Sequence, residues 1–305
     1  MQITIQELSQ SFGSLKEFSE STIAIFQKHN FSFSEVNQLD KEQIRIEIEQ
    51  KIVDGFSRVG SHRADIWEGA WNEVKEKFVN SNFDPLALNP NFISNYDYVR
   101  WNGRYVRPND RRLELSFFEV FRDWLFTEYL VNTDNVYEFG SGSGFNIVEL
   151  SQKFPEKQLV GFDWSVSATD ILNLYAQSTG ANVKGCKFDF FNPDLSVEVP
   201  DNTVFLTFCA FEQIGPKFQP MLDFFISKRP ALVIQMEPTL EFYDIQNPFD
   251  QIAIKYHEHR QYLQGYYTKL CDLASASRIE LISSKRLNFG SKYNECYSFH
   301  VWKPL

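Results

Sequence analysis

Residues 135–145 read Asn135-Val136-Tyr137-Glu138-Phe139-Gly140-Ser141-Gly142-Ser143-Gly144-Phe145. A short apolar run ends in alternating glycines, and a helix-compatible stretch, Asn146 to Lys153, follows. Glycines at such a junction permit a tight turn and let backbone approach a ligand closely. A dinucleotide turn needs G-x-G-x-x-G, and its third glycine would fall where this chain has Phe145. Glu138, two residues before the first glycine, disfavours a pyrophosphate and favours a cationic ligand.

Strand and helix patterns alternate on both sides of this turn. Leu113 to Leu130 has the apolar spacing of a helix. After Asn135–Phe139, strands are expected at Gln158 to Phe162, Lys184 to Phe188, Thr203 to Phe208 and Ala231 to Met236. Helices are expected at Ser167 to Gln177, near Phe218 to Ser227, and over Ile252 to Ser275. The final strand-like runs, Ile279 to Lys285 and Cys296 to Trp302, are joined by a short connection around Gly290. The expected fold is α/β and Rossmann-like: a doubly wound, mostly parallel seven-stranded sheet with an antiparallel C-terminal edge hairpin.

The glycine stretch resembles motif I of class I S-adenosylmethionine-dependent methyltransferases, and the resemblance covers roughly residues 110 to 305. It implies cofactor contacts from Glu138, Gly140, Ser141, Gly142 and Gly144. An acid ending the next strand, Asp163 in Gly161-Phe162-Asp163-Trp164-Ser165, would hold the ribose hydroxyls, with Trp164 against the adenine. Asp189 and Phe190 fit the adenine end, and Cys209 the end of the fourth strand. The implied function is transfer of a methyl group from S-adenosylmethionine, leaving S-adenosylhomocysteine. The acceptor would be an oxygen or nitrogen of a small molecule, such as a sugar or natural-product intermediate. A protein methyltransferase, or a partner protein that binds the cofactor without turnover, are the alternatives.

An oxygen or nitrogen acceptor needs a proton acceptor nearby. His257 is the first candidate, beside Glu212 and Glu237, which follow the fourth and fifth strands. No metal is expected: His257 and His259, two apart on a helix, point in different directions. For the substrate, Arg100, Arg104 and Tyr105 belong to a basic and aromatic cluster at residues 98–112. Tyr256 and Arg260 flank the histidines.

The 305 residues carry a formal charge of −10, so a non-specific grip on nucleic acid is not expected. The turn after the fourth strand also lacks the N-P-P-Y pattern of amino-methylating DNA enzymes. The four cysteines form no CxxC pair and read as reduced thiols. A polar N-terminus and the shortness of the apolar run near Val204 to Phe211 imply a cytoplasmic chain without a membrane span. Residues 1–110 read as a helical cap over the substrate region, and 111–305 as the methyltransferase domain. Asp40 to Phe56, N-capped by Asp40, and Ala64 to Asn80 have helical spacing, while Ser81 to Pro108 reads as turns. Trp67 and Trp71 in the cap suit either a pocket roof or a homodimer contact.

Overall fold

The computed structural model describes residues 1–90, 93 and 96–305, so part of the turn-rich stretch 81–108 lies outside the described residues. The N-terminal region holds α1 (Ile5–Phe12), α2 (Glu20–Lys28), α3 (Gln38–Gly55) and α4 (Ala64–Asn80). It also holds strands β1 (Phe33–Glu35), β2 (Val99–Trp101) and β3 (Arg104–Pro108). After α5 (Leu113–Tyr129) come β4 (Asn135–Phe139), α6 (Phe145–Lys153), β5 (Gln158–Asp163), α7 (Val166–Thr179) and β6 (Val183–Lys187). Then follow β7 (Thr203–Phe208), α8 (Gln219–Lys228), β8 (Leu232–Met236), α9 (Pro248–Arg260) and α10 (Tyr266–Ser275). The chain ends in β9 (Ile279–Lys285), β10 (Phe289–Gly290) and β11 (Phe299–Pro304).

Among the described residues the main sheet has seven strands in the order β6-β5-β4-β7-β8-β11-β9. Strands β4 to β8 pair in parallel, while β11 runs antiparallel to both β8 and β9. The expected Rossmann-like sheet with its antiparallel edge hairpin is therefore present. Strand order reverses between β4 and β7, so the crevice outside their carboxyl ends is where open α/β sheets bind ligands. The glycine turn leaves β4 at that point.

Three local readings need correction. Part of the stretch read as turns forms the β2–β3 hairpin. Asn102 and Gly103, with φ of 48° and 75°, make its two-residue connection, an Asn-Gly signal for a hairpin turn. Helix α3 starts earlier than expected, because the Asn37 side chain accepts from the Asp40 N–H and is the cap. The helix expected over Ile252 to Ser275 is two helices, since Gln261 (φ 55°) ends α9 and Gly265 (φ 76°) begins α10.

The two faces of the sheet hold separate aromatic cores. On one, Phe139 stacks on Phe162 with ring centroids 4.9 Å apart, and Phe205 and Phe224 pack beside them. On the other, Phe117 and Phe121 of α5 meet Phe12 of α1 and Phe299 of β11. The N-terminal region is thus packed into the same core as the sheet. A second, four-stranded sheet, β1-β3-β2-β10, reinforces this join. Phe289 and Gly290, read as connection, pair with Trp101 and Arg100.

Candidate functional site

The glycine turn is held by backbone and by one carboxylate. The N–H groups of Gly140 and Ser141 both donate to Phe162 O, at 2.7 and 3.1 Å. The N–H of Gly142 donates to Asp163 Oδ2 at 2.9 Å, while Asp163 Oδ1 accepts from Ser165 N at 2.9 Å. Gly142 has φ 52°, and a Cβ there would lie 2.7 Å from the Trp71 ring. Any larger residue is excluded twice over, by conformation and by space.

Above the turn lies a cleft of about 760 Å³, mouth included. Its floor comes from Glu138, Gly140 to Ser143 and Asp163. Trp164, Phe190 and Phe191 form an aromatic side, and Cys209, Gln213 and Ile214 close the β7 end. Trp67 and Trp71 of α4, stacked at 5.5 Å, reach in from the N-terminal region.

The carboxylates are electrostatically loaded. Burial pushes the Glu138 carboxyl up to about 8, against the Asn146 hydrogen bond and the Arg122 charge. Asn146 Nδ2 donates to Glu138 Oε1 at 2.7 Å, and Oε2 is buried without a partner. Burial likewise raises Asp163 to about 6, against the N–H groups of Ser165 and Gly142. The Ser141 and Ser143 hydroxyls are also buried without partners. Unsatisfied buried polar atoms are costly, and gathered round one cleft they mark where a polar ligand would sit. These residues suit a nucleoside with a cationic tail: acceptor oxygens for hydroxyls and charge, aromatic faces for a base.

The remaining expected site residues fall elsewhere. Gly144 begins α6 and packs against Leu172 of α7, outside the cleft wall. Asp189 closes its own turn, accepting from Phe191 N and Asn192 Nδ2. Glu237 accepts the N–H groups of Ala210, Phe211 and Glu212, and burial raises it to about 7. Glu212 lies behind the wall, next to Gln213, whose Nε2 donates to it at 2.7 Å. Burial first, then the Glu237 charge, raises Glu212 to about 8.

His257 is fully buried away from the cleft, 3.4 Å from Asn294 Nδ2. Burial, then the Arg100 charge, lowers it to about 3. Arg100, also fully buried, pairs with Asp250 and Glu295 and lies over the Phe249 ring. Arg104 pairs with exposed Glu35. Tyr105 is bonded to Lys292 O, and Tyr256 stacks on Tyr293. The basic cluster therefore joins elements together and does not line the cleft. Arg260 is buried near Glu212, against Phe56 and Tyr262. Among the described residues, no group of three His, Cys, Asp or Glu side chains gathers to hold a metal. Likewise, no described helix is long and apolar enough to cross a membrane.

Sequence reasoning missed Asn146, Ser143 and Phe191. Asn146 and Ser143 sit inside or next to the glycine turn, and their place in that stretch was the available signal. Gln213 belongs to the stretch Cys209 to Gln213 after the fourth strand, where the family resemblance implies contacts, and it does line the cleft.

No family model and no curated protein matches this chain. Solved structures resemble it in fold. They include the plantazolicin methyltransferase BpumL in complex with SAH, at 12% identity over 86% of this chain and 98% of that one, with a TM-score of 0.42. The 16S rRNA methylase ArmA matches at 11% identity over 77% of this chain and 98% of that one, TM-score 0.47. LaPhzM matches at 17% identity over 63% of this chain, which spans 59% of its length, TM-score 0.42. These scores stay below 0.5, so the fold assignment rests on the strand order itself. Sheet order, antiparallel β11 and the glycine turn at the switch point define the Rossmann-like class I methyltransferase fold.

Proposed function

We propose that this chain is a methyltransferase that binds S-adenosylmethionine in the cleft and methylates an oxygen or nitrogen of a small molecule. The observation that carries the reading is the pair of buried carboxylates, Glu138 and Asp163, ending adjacent parallel strands on either side of the glycine turn. Asp163 would accept the ribose hydroxyls while still pinning Gly142, because a carboxylate offers about four lone-pair sites. Glu138, aimed by Asn146, would face the cationic end. Trp164 and Phe190 would flank the adenine.

When bound, S-adenosylmethionine supplies an electrophilic methyl group on a sulfonium. The chain's own part is to align the acceptor and exclude water. Trp67 and Trp71 support a roofed pocket and hence a small acceptor, with α4 as part of a cap drawn from residues 1–110.

A second reading, binding without turnover, is favoured by one observation: neither His257, Glu212 nor Glu237 lines the cleft. Calorimetric titration with S-adenosylhomocysteine, beside NAD, tests the cofactor assignment. Micromolar binding of S-adenosylhomocysteine alone is expected. Asp163→Asn should weaken it ~10- to 100-fold, as loss of charge-assisted bonds worth ~1.5–3 kcal/mol each implies. No binding by the folded protein would sink the proposal, and binding without methyl transfer across an acceptor screen would favour the second reading.

A further inference from the structure

Three buried polar side chains from three elements form a chain that ends at the cleft. Arg122 of α5, Asn146 of α6 and Glu138 of β4 are 7%, 2% and 1% exposed. Asn146 Nδ2 donates to Glu138 Oε1 at 2.7 Å, and Asn146 Oδ1 accepts from Arg122 Nη1 at 3.3 Å. Arg122 Nη1 also donates to Phe145 O at 3.4 Å, and Nη2 to Glu149 Oε2 at 3.2 Å. Its guanidinium lies over the Phe118 and Phe145 rings, at 5.3 and 5.2 Å. Glu138 and Asn146 line the cleft, and Arg122 stands one side chain behind them.

A guanidinium carries donors only, while an amide carries one donating and one accepting end. With Oδ1 committed to Arg122, the Asn146 amide presents its N–H to Glu138. Reversed, it would set oxygen against oxygen at an ionised Glu138 and favour the protonated acid. Glu138 Oε1 is thereby occupied, and Oε2, buried without a partner, is the open acceptor. A proton and the ammonium of a ligand compete for that oxygen. Burial pushes Glu138 up to about 8 and Asp163 of β5 repels it, while Asn146 and Arg122 act in the opposite sense. Arg122 itself faces Glu149, Glu119 and Asp123 besides Glu138, and Asp123 is paired with Lys153.

We propose that Arg122 is a positioning residue of the cofactor site: through Asn146 it orients and charges Glu138, so that Oε2 takes the ammonium of the cofactor's amino-acid tail. Arg122 acts on the ligand only through these two side chains. Its ion pair with half-exposed Glu149 holds the guanidinium from the solvent side. The proposal rests on the S-adenosylmethionine reading above and deepens it, because it puts recognition of the charged tail under the control of a residue behind the cleft.

Two nucleosides separate this role from a merely structural one: S-adenosylhomocysteine, which carries the ammonium, and 5′-methylthioadenosine, which lacks the amino-acid tail. In calorimetric titration at pH 7.5 the wild-type protein should prefer S-adenosylhomocysteine. Arg122→Gln should weaken S-adenosylhomocysteine by about tenfold or more, as loss of support for a bond to a charged group implies, and leave 5′-methylthioadenosine within about threefold. The pH at which S-adenosylhomocysteine affinity rises should move upward in this variant, because the charge that favours the Glu138 carboxylate is gone. Arg122→Lys, which keeps that charge, should recover most of the preference. In the Glu138→Gln protein, Arg122→Gln should have no further effect. Glu149→Gln, which removes the ion pair and spares the Asn146 bond, should leave the ratio of the two affinities unchanged. Asn146→Ala serves if thermal unfolding shows that Arg122→Gln does not fold, and should reproduce its loss and its pH shift. Equal weakening of both nucleosides, an unmoved pH profile, the same loss in Glu149→Gln, or a full effect of Arg122→Gln in the Glu138→Gln protein would overturn the inference. Wild-type protein that binds both nucleosides equally would overturn it while leaving a nucleoside site in the cleft. Absence of binding of either nucleoside would remove the cofactor reading and this inference with it.

Discussion

Glu138 shows how burial sets the behaviour of a single side chain. Its carboxyl is raised to about 8, Glu114 and Glu212 also to about 8, and Glu237 to about 7, in each case first by burial. The folded state holds these protons more tightly than an unfolded chain, where carboxyls titrate near ~4. Stability from these groups is complete at low pH and is lost as pH rises through about 8. Buried His257 and His300, both lowered to about 3, act in the opposite sense, losing stability as pH falls below their unfolded value of ~6.5. Between pH 7 and 8.5 the histidines are largely neutral in both states, so the acids decide. The Tm of the ligand-free protein should fall across that window, and a flat or rising Tm would contradict the burial argument. The affinity for S-adenosylhomocysteine should rise over the same window, since its cationic amine favours the Glu138 carboxylate. Glu138→Gln should flatten the rise.

Helix α4 reaches the site by two contacts from one face. Trp71 presses on the glycine turn, and Glu68, three residues earlier, caps another helix. Glu68 Oε2 accepts from Ser165 Oγ and Val166 N, and Oε1 from Ser167 N and Oγ, at 2.6 to 3.2 Å. These N–H groups belong to the first turn of α7, where a negative charge is favoured by the unsatisfied donors and the helix dipole. Glu68 is close to solvent, which screens part of the effect. Glu68→Ala should therefore destabilise the fold by about 1–2 kcal/mol in urea unfolding. It should also weaken S-adenosylhomocysteine, because Asp163 and Trp164 immediately precede that turn. A loss of stability with affinity unchanged would separate the cap from the cleft.

At the scale of the molecule, the N-terminal region and the main sheet are joined by a shared core, the strand pair β2–β10, and a buried ion network. Asp250 of α9 meets both Arg100 of β2 and Arg286, and Glu295 meets the same two arginines. Removing one partner of such a network leaves a buried charge uncompensated, at ~3–5 kcal/mol. Asp250→Asn should lose about that much in urea unfolding, while S-adenosylhomocysteine affinity stays within about threefold. A large loss of affinity would return Arg100 and its partners to the binding site. The same joins predict one unfolding transition, with tryptophan fluorescence and far-ultraviolet circular dichroism coincident. Two separated transitions would support residues 1–110 and 111–305 as independent units.

The sequence by itself determined the alternation of strands and helices, the glycine turn after β4, and the acids Glu138 and Asp163. Those features are local: a period of two or 3.6 residues, a turn that needs glycine, and a charged residue at the end of an apolar run leave marks within a few positions. Tertiary structure alone decided which polar residues face the cleft. Arg100 and His257 stand in suggestive sequence contexts, yet strand pairing and the packing of α9 turn both into buried structural groups. Asn102-Gly103 was a legible hairpin signal, but β10, two residues long, takes its strand character only from its partner β2. Gln213 and Trp67 line one cleft from segments distant in the chain. Such contacts depend on how helices dock on the sheet, which no local pattern encodes.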